Sequence, residues 1–240
     1  MEFEVTKGKQ KSPYKIMIYG PAGIGKTSLA FLAPKTLILD IEGGSAKLDV
    51  ESTRIETLGR LRSCLMWAAK NSEYDTYVFD TMTWIENFLV TQILTDNNWK
   101  TLAQGAYGQG AVALYNEWVS FLKCIDYLNR HGKNVIFLAH SRIKTFASPN
   151  TENYDRYEPE LMPKAIPYIM SVFDAVLFYH PKTVIKQLDG KNPADKGAIA
   201  GQRQLLTVDK VHALAKNRFG LPEYIPVPQG TDGGLFKLLY

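Results

Sequence analysis

The chain has 240 residues, of which 45% are apolar and 22% charged, and 28 Lys and Arg against 24 Asp and Glu leave a formal charge of +4. That composition supports a substantial core and excludes a disordered, collagen-like or coiled-coil chain. No stretch approaches the roughly 18 consecutive apolar residues of a membrane helix, and the first twenty residues hold no secretory apolar segment, so a soluble intracellular protein without a membrane partner is expected. The length suits one domain with a small appendage, and the mild charge permits a nucleic-acid partner without arguing for one.

Lys15 to Tyr19 is predicted as a strand, followed by a glycine turn and a helix from Lys26 to Ala33. A second short strand, Thr36 to Leu39, is closed by Gly43 and Gly44; Leu61 to Lys70 reads as a helix, Tyr77 to Phe79 as a strand and Trp84 to Leu94 as a helix. The clearest helix is Ala111 to Arg130, where Leu114, Trp118, Phe121, Leu122, Ile125 and Leu128 recur on one face. Asn134 to Ala139 is then a fully apolar strand. Strands separated by helices of this length imply βαβ crossovers and a mainly parallel sheet. Two segments break the rhythm and read as irregular loops, Asp96 to Gly110 and Ser141 to Pro163, the latter with Pro149, Pro159 and Pro163. Ala175 to Tyr179 and Gln204 to Val208 are strands joined by the polar stretch Gln187 to Gly201, and the apolar end Leu235 to Tyr240 reads either as an added strand or as a surface that docks on a neighbouring protomer. Cys64 and Cys124, each within a predicted helix, read as buried free thiols of a reducing compartment.

Gly20-Pro21-Ala22-Gly23-Ile24-Gly25-Lys26-Thr27, followed by Ser28, satisfies the G-x-x-x-x-G-K-[ST] pattern directly after one strand and before a helix. The glycines let backbone N–H groups turn around phosphate oxygens, Lys26 supplies a point charge for the β- and γ-phosphates, and the Thr27 hydroxyl is a hard ligand for Mg²⁺. Asp80, closing the strand Tyr77-Val78-Phe79, is the expected second carboxylate of the metal site, and it also stands where it would cap the next helix. The hydrolytic base separates classes of such proteins. In AAA+ proteins and many helicases a Glu follows this Asp, whereas Thr81 follows it here. Leu39-Asp40-Ile41-Glu42-Gly43-Gly44 instead places Glu42 at the end of the strand after the first helix, with Asp40 as the alternative base.

The D-x-E context resembles the RecA-like core. Lys216-Asn217-Arg218-Phe219-Gly220 matches the K-N-R-F-G string of the bacterial RadA branch-migration ATPases and the K-x-R pair of KaiC-type ATPases. From about Tyr14 to Pro228 the chain is similar to the phage-encoded RecA-like ATPases of single-strand annealing and recombination. The resemblance implies a RecA-like fold with a C-terminal β-hairpin region, ATP with Mg²⁺, and a homo-oligomer, ring or filament, in which Lys216 and Arg218 reach a neighbour's nucleotide. It also implies single-stranded DNA as partner, a single-strand binding protein as a further one, and the cytoplasm of a bacterial host. His140, ending its strand, reads as a γ-phosphate contact or as a satisfied structural histidine.

If the resemblance holds, the two irregular loops face DNA, with Lys100 and Tyr107 on the first and Arg142, Lys144 and Arg156 on the second, cations interleaved with aromatics as single strands require. Flexible surface loops are the bland alternative. The lysines at positions 7, 9, 11 and 15 read as a solvated arm or an auxiliary phosphate contact. The domain division expected is a basic arm over 1–13, the ATPase core over 14–228 and a tail over 229–240. An ATP-driven DNA motor and a KaiC-like regulatory ATPase without nucleic acid are the alternative functions.

Overall fold

The structure is a computed structural model, and it describes residues 5, 7, 8, 12–147, 152–187 and 196–239. Lys9 and Lys11 of the arm, Pro149, residues 188–195 of the polar stretch and Tyr240 lie outside the described residues. In chain order the elements are β1 (Lys15–Gly20), α1 (Lys26–Phe31), β2 (Thr36–Asp40), β3 (Ser52–Arg54), α2 (Leu58–Lys70), β4 (Thr76–Asp80), α3 (Met82–Asn97) and α4 (Gln109–Arg130). They continue with β5 (Asn134–Phe146), β6 (Tyr154–Pro159), α5 (Ile166–Val172), β7 (Ala175–Gln187), β8 (Lys196–Leu206), β9 (Lys216–Asn217), β10 (Tyr224–Val227) and α6 (Leu235–Leu238).

The sheet runs β10-β8-β7-β1-β5-β4-β2-β3, with β6 paired to β5 and β9 to β7. The six strands from β7 to β3 are mutually parallel, while β8 and β10 add an antiparallel margin. The central strands bury both of their faces, as a parallel sheet between helices must. Met17 and Tyr19 of β1 join Phe79, Trp118, Phe121 and Phe137 in one core layer, where α2, α3 and α4 pack. Ile16 and Ile18 point the other way, toward Leu29 of α1 and Leu235 and Phe236 of α6. This is the mainly parallel α/β architecture that the alternation of strand and helix predicts, with the β7–β8 hairpin on its C-terminal side.

Several details differ from the sequence reading. The described residues between Ser141 and Pro159 are largely strand: β5 continues to Phe146 and pairs antiparallel with β6, from Ser141 opposite Pro159 to Phe146 opposite Tyr154. Most of Asp96 to Gly110 is likewise structured, by the end of α3, short 3₁₀ turns at Leu102–Gln104 and Ala106–Gly108, and the start of α4. The apolar end forms the short helix α6 rather than a strand, with Leu235, Phe236 and Leu239 buried in the chain's own core. Both cysteines are free as expected, but neither is fully buried: Cys64 is half-buried and Cys124 exposed. Among the described residues, no helix is long and apolar enough to cross a membrane.

Candidate nucleotide site

The edge of the sheet where β1, β5, β4 and β2 end collects the residues of the predicted site. β1 lies so close to β7 that a Cβ on Gly20 would stand 2.1 Å from the Tyr179 carbonyl oxygen, so the first loop position admits only glycine. Gly25 turns the chain into α1 with φ +97°, a left-handed conformation that also favours glycine. The loop between them bends over a cavity of about 330 Å³ bordered by Ala22, Gly23, Gly25, Lys26, Thr27 and Ser28 on one side and by Glu42, Asp80, Thr81 and His140 on the other. Pro21 and Ile24 belong to the same loop but not to this lining.

Lys26 is only 6% exposed, and its ammonium donates to the Gly20 and Pro21 carbonyls, each at 3.0 Å. Burial holds its pKa below the ordinary lysine value, against the opposing pull of Asp80 and Glu42. Asp80, at the end of β4, accepts a hydrogen bond of 2.6 Å from the Thr27 hydroxyl. Burial raises its pKa, and the nearby Glu42 and Asp40 charges add to that, while Thr27 and Lys26 oppose it. The Thr81 hydroxyl beside it is buried and has no hydrogen-bond partner.

β5 lies between β1 and β4 in the sheet, which brings His140, in register with Gly20, into the cavity wall. Its Nε2 is 3.2 Å from Glu42 Oε2. Glu42 is fixed from behind, because the Ile41 and Glu42 amides donate to the Asp80 carbonyl at 2.8 and 3.0 Å. Asp40, the alternative base, has another task. Its carboxylate accepts from the Gly43, Gly44 and Ser45 amides and from the Ser45 hydroxyl, so it shapes the turn that presents Glu42.

These groups fit a magnesium nucleotide. A glycine-lined loop, a buried ammonium, a hydroxyl and carboxylate of hard oxygen character, and an orphaned hydroxyl converge on one small cavity. The sequence reading missed Arg203 of β8, whose guanidinium donates to the Ile24 carbonyl at 3.1 Å and lies over the Tyr179 ring. Nothing local in the sequence marks it, since β8 reaches the loop only through the sheet.

The other predicted residues lie elsewhere. The Lys216 ammonium donates to the Met170, Ser171 and Phe173 carbonyls at the C-terminal end of α5. Arg218 bonds the Ser171 carbonyl and pairs with Asp174 at 3.5 Å, and its side chain stays 56% exposed. Arg142 donates twice to Glu158, Lys144 stands 4.0 Å from the same carboxylate, and Arg156 pairs with Asp209. Lys100 and Tyr107 sit on the separate connection between α3 and α4, where Tyr107 is fully exposed with φ 52°.

The profile of a family described as an AAA domain matches residues 12–219. None of the curated proteins compared with the chain matches its sequence. Among solved structures, a RadB recombinase is similar at 14% identity with a TM-score of 0.46, over 90% of this chain and 89% of that one.

Proposed function

The chain belongs to the AAA domain family and is a P-loop ATPase, and from that premise we propose that it hydrolyses ATP on single-stranded DNA, as a RecA-like protein of homologous recombination or strand annealing. The observation that carries the reading is the pairing of Glu42 with His140, because His140 stands on the strand that continues directly into the β5–β6 hairpin. One hydrogen bond thus joins the hydrolytic site to a projecting element rich in cations and aromatic rings.

In this reading the loop amides and Lys26 hold the phosphates, and Glu42 orients the water and takes its proton as the bond to the γ-phosphorus forms. The bond from that phosphorus to the bridging oxygen breaks, releasing ADP and phosphate. Thr27 and Asp80 would hold Mg²⁺, which neutralises phosphate charge when bound. Arg218, exposed on its own subunit, supplies charge to the nucleotide of a neighbour in a homo-oligomer. Lys216 is engaged by its own α5 carbonyls, so its part in that contact is to fix the β9 segment on which Arg218 stands.

DNA contacts fall to Lys100 and Tyr107 on one segment and to Lys144 with the hairpin aromatics on the other. The internal pairing of Arg142 with Glu158 and Arg156 with Asp209 favours a second reading, a nucleotide-gated ATPase with no nucleic-acid partner. ATP turnover measured with and without a single-stranded oligonucleotide separates the two. Stimulation that fades as salt rises is expected; unstimulated turnover, with no oligonucleotide bound at low salt, selects the second reading.

A further inference from the structure

A larger cavity, of about 790 Å³, opens on the sheet face opposite α1 and carries none of the hydrolytic residues. Its floor is Phe178 of β7, only 2% exposed. The His180 imidazole stacks on Phe178 with centroids 4.7 Å apart and planes 10° from parallel, and the Tyr157 ring stacks at 4.9 Å and 25°. Tyr224 adds a further ring to the lining and is 36% exposed; Tyr157 is 37% exposed. Among the described residues no carboxylate lines the cavity, and Lys182 stands exposed in its wall.

The walls are held from behind. The Tyr157 amide donates to the His212 carbonyl at 2.8 Å, and the Tyr157 carbonyl accepts from the Leu214 amide and the Tyr19 hydroxyl. His180 shares its Nδ1 proton with the Pro181 carbonyl at 3.0 Å, and the Gln204 amide nitrogen faces Nε2 at 3.4 Å. The Pro181 carbonyl can only accept, which places a proton on Nδ1, and the Gln204 side-chain amide meets the other ring nitrogen. Burial lowers the pKa of His180, which favours the neutral ring. A neutral imidazole stacked on a phenyl ring makes a flat surface for another flat ring, with an amide at its edge able to meet polar ring atoms.

We propose that this cavity receives an unstacked heteroaromatic base of bound single-stranded DNA, which stacks on the His180–Phe178–Tyr157 surface with its phosphate toward Lys182. The proposal rests on the single-stranded DNA reading above and deepens it, since the pocket adjoins the hairpin base through Tyr157 and the phosphate loop through Pro21. Stacking on aromatic side chains is worth about 1–3 kcal/mol per base, or about five- to hundredfold in affinity.

The test uses a single-stranded oligonucleotide carrying one 2-aminopurine, followed by fluorescence and by anisotropy, with ATP binding measured in parallel. The wild-type protein is expected to quench the probe. His180→Ala should bind the oligonucleotide about five- to hundredfold more weakly and relieve the quenching. His180→Phe, which keeps the ring, should return the affinity to within a few fold. Thermal unfolding establishes that each variant is folded, and Tyr224→Ala, at a partly exposed ring, carries the test if His180→Ala does not fold. Wild-type protein that binds and is stimulated by the oligonucleotide, with variants that bind it equally well, overturns the pocket and leaves the DNA reading standing. Weakened ATP binding with unchanged oligonucleotide binding also overturns it, by giving the cavity to the base of ATP. If the wild-type chain binds no oligonucleotide, both readings fall together.

Discussion

Burial pushes the pKa of Lys26 down and that of Asp80 up, so the charged form is disfavoured at each of the two residues proposed to handle phosphate and metal. For Asp80 the native state binds its proton more tightly than the unfolded chain does. Stability therefore falls as pH rises from the ordinary carboxylate range near 4 through the raised native value. Asp80→Asn is expected to raise the unfolding midpoint at pH 7 by a few degrees, about 1 kcal/mol, with the gain shrinking as pH is lowered toward the ordinary carboxylate range. Calorimetry at the two pH values checks this, and the same variant should lose magnesium-dependent turnover. Glu42→Gln keeps the hydrogen-bonding shape but cannot take a proton, so nucleotide binding should persist while hydrolysis falls by about a hundred- to ten-thousandfold. Lys26→Ala should weaken nucleotide binding by about ten- to hundredfold, read by calorimetric titration. These residues were legible because each is marked by its place in the chain, in the glycine pattern or at the end of an apolar strand. Arg203 and His180 were not, since only the sheet order β8-β7-β1 brings their strands near the phosphate loop.

At the scale of elements, the segment that follows β6 is tied to α3 and α4 through one carboxylate. Glu86 accepts from the Met162 amide at 3.0 and 3.1 Å and from the Trp118 indole at 2.8 Å, and burial raises its pKa. Glu86→Ala would leave both donors unpaired and should lower stability by about 2–3 kcal/mol, seen as a lower urea midpoint. Faster amide exchange at Met162 should accompany it, while Glu86→Gln, which keeps an acceptor, should recover part of the loss. The hairpin escaped the sequence reading for a physical reason. Ile143, Lys144, Thr145 and Phe146 are all exposed, so this stretch has no buried face to impose the alternation by which strands are recognised. β3 has three residues and α6 four, too short for either period to show. The long helices, each with a buried face, were read to within a few residues of their ends. By contrast, β5 and β7 were read only over their buried starts and run on to Phe146 and Gln187, well past the predicted Ala139 and Tyr179.

At the scale of the whole molecule, the proposed exchange of charge between subunits makes turnover a property of the assembly. At limiting ATP, protomers carrying Lys26→Ala stay largely empty but still present Arg218, whereas Arg218→Ala protomers hold nucleotide but lack that guanidinium. Mixing the two is expected to restore a fraction of the wild-type rate, while either alone remains slow. An assembled mixture with no recovery would assign Arg218 to its bonds with Ser171 and Asp174 instead.

β5 crosses the whole protein without interruption. Its 13 residues extend over roughly 40 Å, from the centre of the sheet through His140 to the exposed Phe146 at its far end. An extended strand held by β4 up to Leu138, by β1 up to His140 and by β6 beyond is stiff along its own axis, so tension applied at the outer end is delivered to the His140–Glu42 contact with little slack. A polymer pulling on the hairpin would thereby load Glu42, the carboxylate proposed as the base, and under that proposal the pace of hydrolysis would register the force.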